Sequence, residues 1–315
     1  MVSVIRLSSQ RVLFFAGSED GLTGDGFTIA EVLYTLLYVI PFYLSPKTRP
    51  SPTLSRDAPS VIRARITSVS ITCVVTSLAT FYILVAWGGY GSADALHLLG
   101  YWPAGIPEAL RALLLTALLF LGPLYESLVV EGGWRDWVTL EPVKEVLQEM
   151  TAWRNIVAGP LTEEVLFRSA AVPLMVLART PLAMTIFLSP LVFGLAHAHH
   201  YYEFRITHPG VPAAAALLRS AFQLGYTTLF GAYATFVYLR TGSLAAVLAA
   251  HVLCNCMGLP RVWGPVEGWD RRAGRAVVLA RGWSVGYYVL LVVGAVVWWR
   301  GLWVLTESGN ALVAM

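Results

Sequence analysis

Charged residues are scarce in this chain, and their scarcity limits the class of protein that it can form. Asp, Glu, Lys and Arg make up only 13% of the 315 residues, whereas a typical soluble domain carries about 25%. Hydrophobic residues account for 57%. This balance argues against a soluble enzyme and predicts a protein that crosses a membrane several times. The net charge of +3 is modest and gives no indication of a nucleic-acid partner.

Cysteine is also scarce, and we expect no cleavable signal. The three cysteines, Cys73, Cys254 and Cys256, lie in or beside apolar runs, where they match neither a disulfide framework nor a zinc-binding spacing. Near the N-terminus, the apolar patch from Val12 to Ala16 is too short for the core of a secretory signal. We find no internal repeat and therefore expect no repeat architecture.

Eight apolar runs are long enough to cross a membrane or to lie inside a membrane bundle. They are Phe27–Leu44, Ser68–Trp87, Ala109–Val130, Ile156–Ala178, Leu182–His197, Pro212–Leu239, Leu244–Met257 and Ser284–Leu305. The predicted fold class is all-α, a polytopic bundle of about eight transmembrane helices. We expect residues 1–152 to form helices one to three with a surface segment, and residues 153–315 to form a catalytic domain of helices four to eight.

The basic residues predict the orientation of the bundle. The loops at 46–66 and 260–282 are rich in arginine, so the positive-inside rule puts both in the cytosol and both termini in the lumen. The segment Glu141–Trp153 alternates charged and apolar residues and is typical of an amphipathic helix on the membrane surface. We expect it on the cytosolic side.

Three charged residues interrupt the fourth apolar run. Each charge at the centre of a membrane helix costs roughly 2.5–3.5 kcal/mol, so Glu163, Glu164 and Arg168 must be compensated. Glu164 and Arg168 are four residues apart and can pair on one helix face. Glu163 points about 100° away and has no local partner. An unpaired carboxylate within the membrane is a candidate functional group, although it could also join a buried structural network.

Two further runs carry polar residues at a similar depth. His197 ends the fifth run, and His251 and Asn255 share a face near the end of the seventh. In the predicted orientation these residues and Glu163 all lie roughly 10 Å from the cytosolic rim. A lone buried histidine is usually structural, and Asn255 could instead cap its helix. His199 and His200 are expected at the rim. The sixth run carries a polar stripe that should face the bundle interior: Arg219, Gln223, Tyr226 and Thr227.

A glutamate and two histidines can bind a metal or activate a water molecule. The helical zinc motif H-E-x-x-H is absent, yet zinc is not excluded by the sequence. Glutamate and histidine can together act as a general base, and His and Asn donors can stabilise an oxyanion. The alternatives to an enzyme are a non-catalytic membrane scaffold and a proton-coupled carrier that uses the Glu/His cluster as a relay. A carrier usually shows inverted repeats, which this sequence lacks.

Three motifs resemble those of the type II CAAX prenyl protease family, the eukaryotic branch of the CPBP group of intramembrane glutamate proteases. They are E-E-x-x-x-R at Glu163–Arg168, F-x-x-x-H at Phe193–His197 and H-x-x-x-N at His251–Asn255. The first motif is weak alone, whereas all three in order within apolar runs are specific. The resemblance covers about Asn155 to Pro260.

The resemblance implies an endopeptidase of the endoplasmic reticulum membrane whose active site opens to the cytosol. Its substrates would be farnesylated or geranylgeranylated CAAX proteins such as Ras-like GTPases, from which it removes the last three residues. By carry-over, Glu163 and His197 activate the water, and His251 and Asn255 form the oxyanion hole. No cofactor is implied. The resemblance leaves a supporting or substrate-orienting role for Glu164, Arg168, Phe193 and Gln223.

Overall fold

Helices dominate the computed structural model, which describes residues 24–51, 54–270 and 275–315. This confirms the predicted all-α membrane helix bundle. The apolar patch from Val12 to Ala16 lies outside the described residues. The α-helices of the described residues are α1 Gly24–Val39, α2 Pro41–Leu44, α3 Pro59–Ala86, α4 Ser92–Leu98, α5 Ile106–Leu119, α6 Leu121–Leu124, α7 Trp134–Val138, α8 Glu141–Gln148, α9 Met150–Trp153, α10 Gly159–Glu164, α11 Val172–Leu177, α12 Leu182–Phe187, α13 Ser189–Ala196, α14 His199–Thr207, α15 Ala213–Thr241, α16 Leu244–Met257 and α17 Arg281–Leu305.

Three π-helical segments and one β-hairpin complete the regular structure of the described residues. The π-helical segments are Tyr125–Val130, Arg154–Ala158 and Val165–Ala171. The hairpin pairs β1, Glu267–Asp270, with β2, Arg275–Val278, in antiparallel register. It lies in the stretch 260–282 that the sequence predicted as a basic loop.

The described residues contain fewer obvious spans than the eight apolar runs predicted. By length and composition alone, three helical stretches can cross a membrane: Pro59–Ala86, Leu182–Thr207 and Arg281–Leu305. A fourth arises if α5 and the stretch Leu121–Val130 count as one span bent by 82°. The other apolar runs are helical too, but they are shorter, more polar or interrupted.

The bend after α5 corrects the prediction of one straight span over Ala109–Val130. Pro123 supplies no backbone N–H to the helix, and Phe120 leaves helical geometry with ψ at 22°. Gly122 then packs on α17, where a Cβ atom would lie 3.1 Å from the Tyr287 carbonyl and from Leu291. The turn therefore interrupts the helix and allows close packing against α17.

Two other predicted boundaries are wrong for local reasons. Helix α3 begins at Pro59, nine residues before the predicted start at Ser68, because proline suits the first turn of a helix. The basic residues Arg63 and Arg65 therefore lie on this helix. The surface segment Glu141–Trp153 is two helices, since Glu149 adopts extended geometry with ψ at 116°.

The fourth apolar run forms the centre of the bundle. From Met150 to Leu177 the chain is helical throughout, with π-helical segments on either side of α10. Proline lacks the N–H that an α-helix needs, and Pro160 and Pro173 each lie near such a segment. Every residue from Leu166 to Met175 is buried. This helix therefore carries its charged residues into the most enclosed part of the protein.

Candidate active site

A cavity of about 960 Å³ opens beside this central helix. Glu163, His197, His251 and Asn255 all line it, although they come from three separate stretches of the chain. The predicted supporting residues divide into two groups. Phe193 and Gln223 also line the cavity, whereas Glu164 and Arg168 lie behind its wall with 0% and 1% of their side chains exposed.

The buried pair at the back of the cavity is compensated from several directions. Arg168 Nη1 donates to Glu164 Oε1 over 3.1 Å, as their spacing predicted, and its Nη2 donates to the Gly231 carbonyl over 3.3 Å. The guanidinium also stacks 4.6 Å from the centre of the Phe193 ring and 5.7 Å from that of Phe230. These contacts replace the hydration that a buried charge loses.

Gly231 provides the space that the guanidinium occupies. A Cβ atom at this position would lie 3.1 Å from Arg168 Nη2 and 2.7 Å from the Cβ of Pro190. Helix α15 can therefore approach the central helix closely only where it has no side chain.

His251 is held between the two adjacent glutamates. Its Nδ1 donates to Glu164 Oε1 over 2.6 Å, while its Nε2 lies 3.9 Å from Glu163 Oε2. The Phe230 ring packs against the imidazole at 4.5 Å between ring centres. Glu164 thus joins Arg168 to His251, a link that the sequence analysis missed. The carboxylate fixes the ring so that Nε2 is directed to the cavity side.

Glu163 is the more accessible glutamate, with 21% of its side chain exposed. The family motifs predict that Glu163 acts together with His197, and Glu163 also lies beside His251 in the structure. Hydrogen bonding at the C-terminus of α13 orients His197 separately, since its Nδ1 lies 3.0 Å from the Phe193 carbonyl. A carbonyl only accepts, so Nδ1 carries the proton and Nε2 has the free lone pair of a base.

Asn255 joins α16 to the central helix. Its Nδ2 donates to the Asn155 carbonyl over 2.8 Å, within the π-helical segment Arg154–Ala158. Helix α16 continues to Met257 and ends at Gly258. Asn255 is therefore not the cap of this helix, and the alternative that it only caps α16 is wrong.

The part of the chain that carries these residues matches a known family model. The model, described as "Type II CAAX prenyl endopeptidase Rce1-like", matches residues 146–257. A protein named "Probable CAAX prenyl protease 2" from Schizosaccharomyces pombe is 35% identical over 282 residues, covering 90% of this chain and 94% of its own. The chain belongs to this family. The family membership that its three motifs predicted is confirmed.

Relatives of the endopeptidase occur in distant eukaryotes. The human "CAAX prenyl protease 2" is 38% identical over 261 residues, covering 76% of this chain and 73% of its own. The Arabidopsis thaliana protein of the same name is 34% identical over 259 residues, covering 75% and 81%. No solved structure matches the chain significantly. The names of these relatives support a protease. They favour this function over a non-catalytic scaffold and over a proton-coupled carrier.

The polar stripe predicted on α15 faces the cavity at three of its four residues, whereas Arg219 is exposed and lies outside the cavity lining. Gln223, Tyr226 and Thr227 line the cavity, and Arg219 stacks on Phe204 at 4.7 Å. Elsewhere on this helix, large apolar residues outside the cavity lining are exposed where lipid would surround them: Leu217, Leu218 and Phe222.

His199 and His200, expected at the rim, also line the cavity and form a group with Glu203. One ligand atom from each lies within 4.8 Å of the others, a spacing that could hold a metal ion. The carboxylate is already engaged, however. Glu203 Oε1 accepts from Arg65 over 2.5 Å, and Oε2 lies 3.3 Å from Arg56 Nη1 and 3.1 Å from His200 Nδ1. We therefore assign Glu203 to an ion-pair network.

This network continues along the mouth of the cavity as a group that we call the rim cluster: Arg56, Asp57, Arg65, Arg154 and Glu203. Arg154 Nη1 donates to Asp57 Oδ1 over 2.7 Å, and Arg56 Nε lies 3.9 Å from the same oxygen. The sequence analysis used these arginines only to orient the bundle. Their position at the cavity could not be inferred, since about 100 residues separate Arg56 from Arg154.

Proposed function

We propose that this endopeptidase removes the C-terminal tripeptide from prenylated CAAX proteins at the cytosolic face of the endoplasmic reticulum membrane. The convergence of Glu163, His197, His251 and Asn255 on one cavity carries the proposal. A cavity of about 960 Å³ is large enough for a lipid-modified peptide end. The basic loops at 46–66 and 260–282 support a cytosolic opening through the positive-inside rule.

The reaction begins with a water molecule between Glu163 and His197. Glu163 accepts a proton from this water. His197 Nε2 positions the water by accepting a hydrogen bond from its other O–H, since Nδ1 is bonded to the Phe193 carbonyl. The oxygen then attacks the carbonyl carbon of the prenylated cysteine. The bond to the next residue's nitrogen breaks, and that nitrogen takes up the proton that Glu163 accepted from the water. The products are a prenylcysteine carboxylate and a free tripeptide, and Glu163 is again a carboxylate.

His251 and Asn255 stabilise the negative oxygen that forms during the attack. In its protonated form His251 carries an N–H at both ring nitrogens, and Nδ1 stays bonded to Glu164 Oε1. Its Nε2–H then donates a hydrogen bond to the oxyanion from the wall of the cavity. Asn255 exchanges its bond to the Asn155 carbonyl for one to the oxyanion.

The lining of the cavity combines apolar and basic side chains, which suits a lipid-modified peptide. Its apolar and aromatic members can contact a prenyl chain: Leu119, Phe120, Leu229, Phe230, Tyr233 and Trp298. The arginines of the rim cluster are its basic members. A substrate could therefore keep its prenyl group among apolar residues while its peptide reaches the polar mouth.

Purified enzyme and a farnesylated CAAX peptide provide the test. We expect release of a tripeptide, detected by mass spectrometry, from the farnesylated peptide but not from the same peptide without its lipid. Glu163→Gln supplies the inactive control. Folded enzyme that leaves the farnesylated peptide intact in a lipid bilayer would refute the proposal.

A further inference from the structure

The rim cluster faces the cavity with its cations. Arg56, Arg65 and Arg154 line the cavity, whereas Asp57 and Glu203 are outside its lining. Three arginines against two carboxylates leave one positive charge in this group. This excess positive charge favours the binding of one additional anion at the mouth of the cavity.

We propose that Arg154, assisted by Arg56, binds the free C-terminal carboxylate of the CAAX tail. This inference rests on the proposed function and names the group of the substrate that the rim cluster recognises. Arginine suits the task because its planar guanidinium binds a carboxylate through two parallel N–H bonds. The inference also explains why an opening for a lipid-modified peptide has several cations along one side.

The arginines differ in how firmly the protein already holds them. Arg65 donates twice to the Thr48 carbonyl, is bonded to Glu203 and stacks on Phe42 at 5.1 Å. It therefore holds Glu203 in place and has little freedom to move. Arg154 donates mainly to the side chains of Asp57 and Asn155, at 2.7 and 3.0 Å from its Nη1 and Nε, and its Nη1 also lies 3.5 Å from the Arg56 carbonyl. Among the described residues, Nη2 of Arg154 makes no hydrogen bond.

Asp57 is the internal carboxylate that the substrate would replace. Its side chain is 54% exposed, and it contacts both Arg154 and Arg56. An exposed ion pair of this kind contributes little free energy, so exchanging one carboxylate for another costs little. The substrate carboxylate would make the same contacts from the cavity side.

The distances are compatible with a tail of three residues. An extended tripeptide spans roughly 10 Å from the cleaved bond to its carboxylate. Arg154 precedes Glu163 by nine residues on the same helical stretch, a rise of no more than about 14 Å. Asn255 contacts Asn155, the neighbour of Arg154, so the proposed oxyanion site and the proposed carboxylate site are joined directly.

The test compares two farnesylated CAAX peptides that differ only at the C-terminus, one a free acid and the other an amide. We expect wild-type enzyme to cleave the acid with a kcat/KM about tenfold or more above the amide, mainly through a lower KM, because a charge-assisted bond is lost with the amide. Arg154→Gln should lose this preference by weakening cleavage of the acid alone.

Two further variants separate recognition from damage to the fold. Arg63→Gln is the matched control, since Arg63 lies near the same rim but is exposed and outside the cavity lining, and it should keep the preference. Asp57→Asn removes the competing carboxylate and should lower KM for the acid peptide. This gain of affinity cannot result from misfolding.

The outcomes distinguish the inference from the proposed function. Equal cleavage of acid and amide by wild-type enzyme overturns the inference and leaves the endopeptidase intact. Equal loss on both peptides in Arg154→Gln, with no gain in Asp57→Asn, makes Arg154 a structural residue and also overturns it. Failure of wild-type enzyme to cleave either peptide instead contradicts the proposed function itself.

Discussion

Glu163 and Glu164 are neighbours in the chain, yet their surroundings give them different tasks. Glu163 lies on the cavity wall with 21% of its side chain exposed, where a water molecule can reach it. Glu164 is fully buried and contacts Arg168 and His251. The first can therefore take part in proton transfer, whereas the second holds two other side chains in position.

Replacing Glu163 by glutamine tests the proton transfer. Glu163→Gln retains the shape of the side chain and removes the base, so kcat should fall by at least about 10²-fold. The thermal midpoint should stay close to that of wild type because the residue is partly exposed. Glu149→Gln, an exposed glutamate outside the cavity lining, is the control and should keep full activity. Near-normal turnover by folded Glu163→Gln would remove Glu163 from the mechanism.

Replacing Glu164 has a different expected result. Glu164→Gln leaves the Arg168 charge buried without its counter-ion, which costs about 3–5 kcal/mol of stability. The double variant Glu164→Gln/Arg168→Met removes both charges and should recover much of the thermal midpoint. Activity should remain low in the double variant, since His251 has lost the carboxylate that orients it. Full activity in either variant would show that the Glu164–His251 bond is dispensable.

Asn255 provides a separate test of the oxyanion hole. A donor that acts only on the developing charge lowers kcat and kcat/KM together, by about 10²–10³ for a single donor. We expect this pattern for Asn255→Ala, with KM nearly unchanged, and partial activity for Asn255→Asp. Loss of the bond to Asn155 alone would instead lower the melting temperature while turnover stayed normal, and that result would refute the assignment.

Individual helices show what could be predicted from the sequence and what could not. Apolar runs located the helices, because hydrophobicity is a local property of the chain. Run length misplaced the start of α3 at Pro59 and missed the bend at Phe120, because it ignores the prolines that begin a helix. The Glu164–His251 bond joins residues 87 positions apart and has no local signature. The motif residues could be named, but their partners required the packed helices.

Helix α15 gives a prediction about close packing. Gly231→Ala places a Cβ atom 2.7 Å from Pro190 and 3.1 Å from Arg168 Nη2, so it should cost about 1–3 kcal/mol of stability. Gly225→Ala on the same helix is the control, since no described atom lies within 4 Å of its Cβ position. It should stabilise the helix by about 0.5–1 kcal/mol. Thermal unfolding in detergent compares the two, and equal midpoints would contradict the packing argument.

The whole molecule must present its cavity on the side where prenylated tails occur. The distribution of arginines predicts that the loops at 46–66 and 260–282 face the cytosol. The rim cluster draws Arg56 and Arg65 from the first of these stretches, so orientation and substrate access are linked. A reversed bundle would turn the mouth of the cavity to the lumen.

Glycosylation in microsomes tests this orientation. An acceptor sequence inserted in either loop should remain unmodified, because glycosylation takes place on the lumenal side. An acceptor added at the C-terminus should be modified and serves as the positive control. Efficient modification within the loops would reverse the predicted orientation.

The buried arginine also constrains how the protein is synthesised. Arg168 leaves the ribosome 63 residues before Gly231, and Glu164 leaves it 87 residues before His251. At about 5–20 residues per second, His251 is synthesised roughly 4–17 s after Glu164. During that interval its charges cannot be sheltered by the finished bundle. The helix must therefore stay near polar surroundings or beside an insertion factor, and assembly of the catalytic half is completed only after α16 has been made.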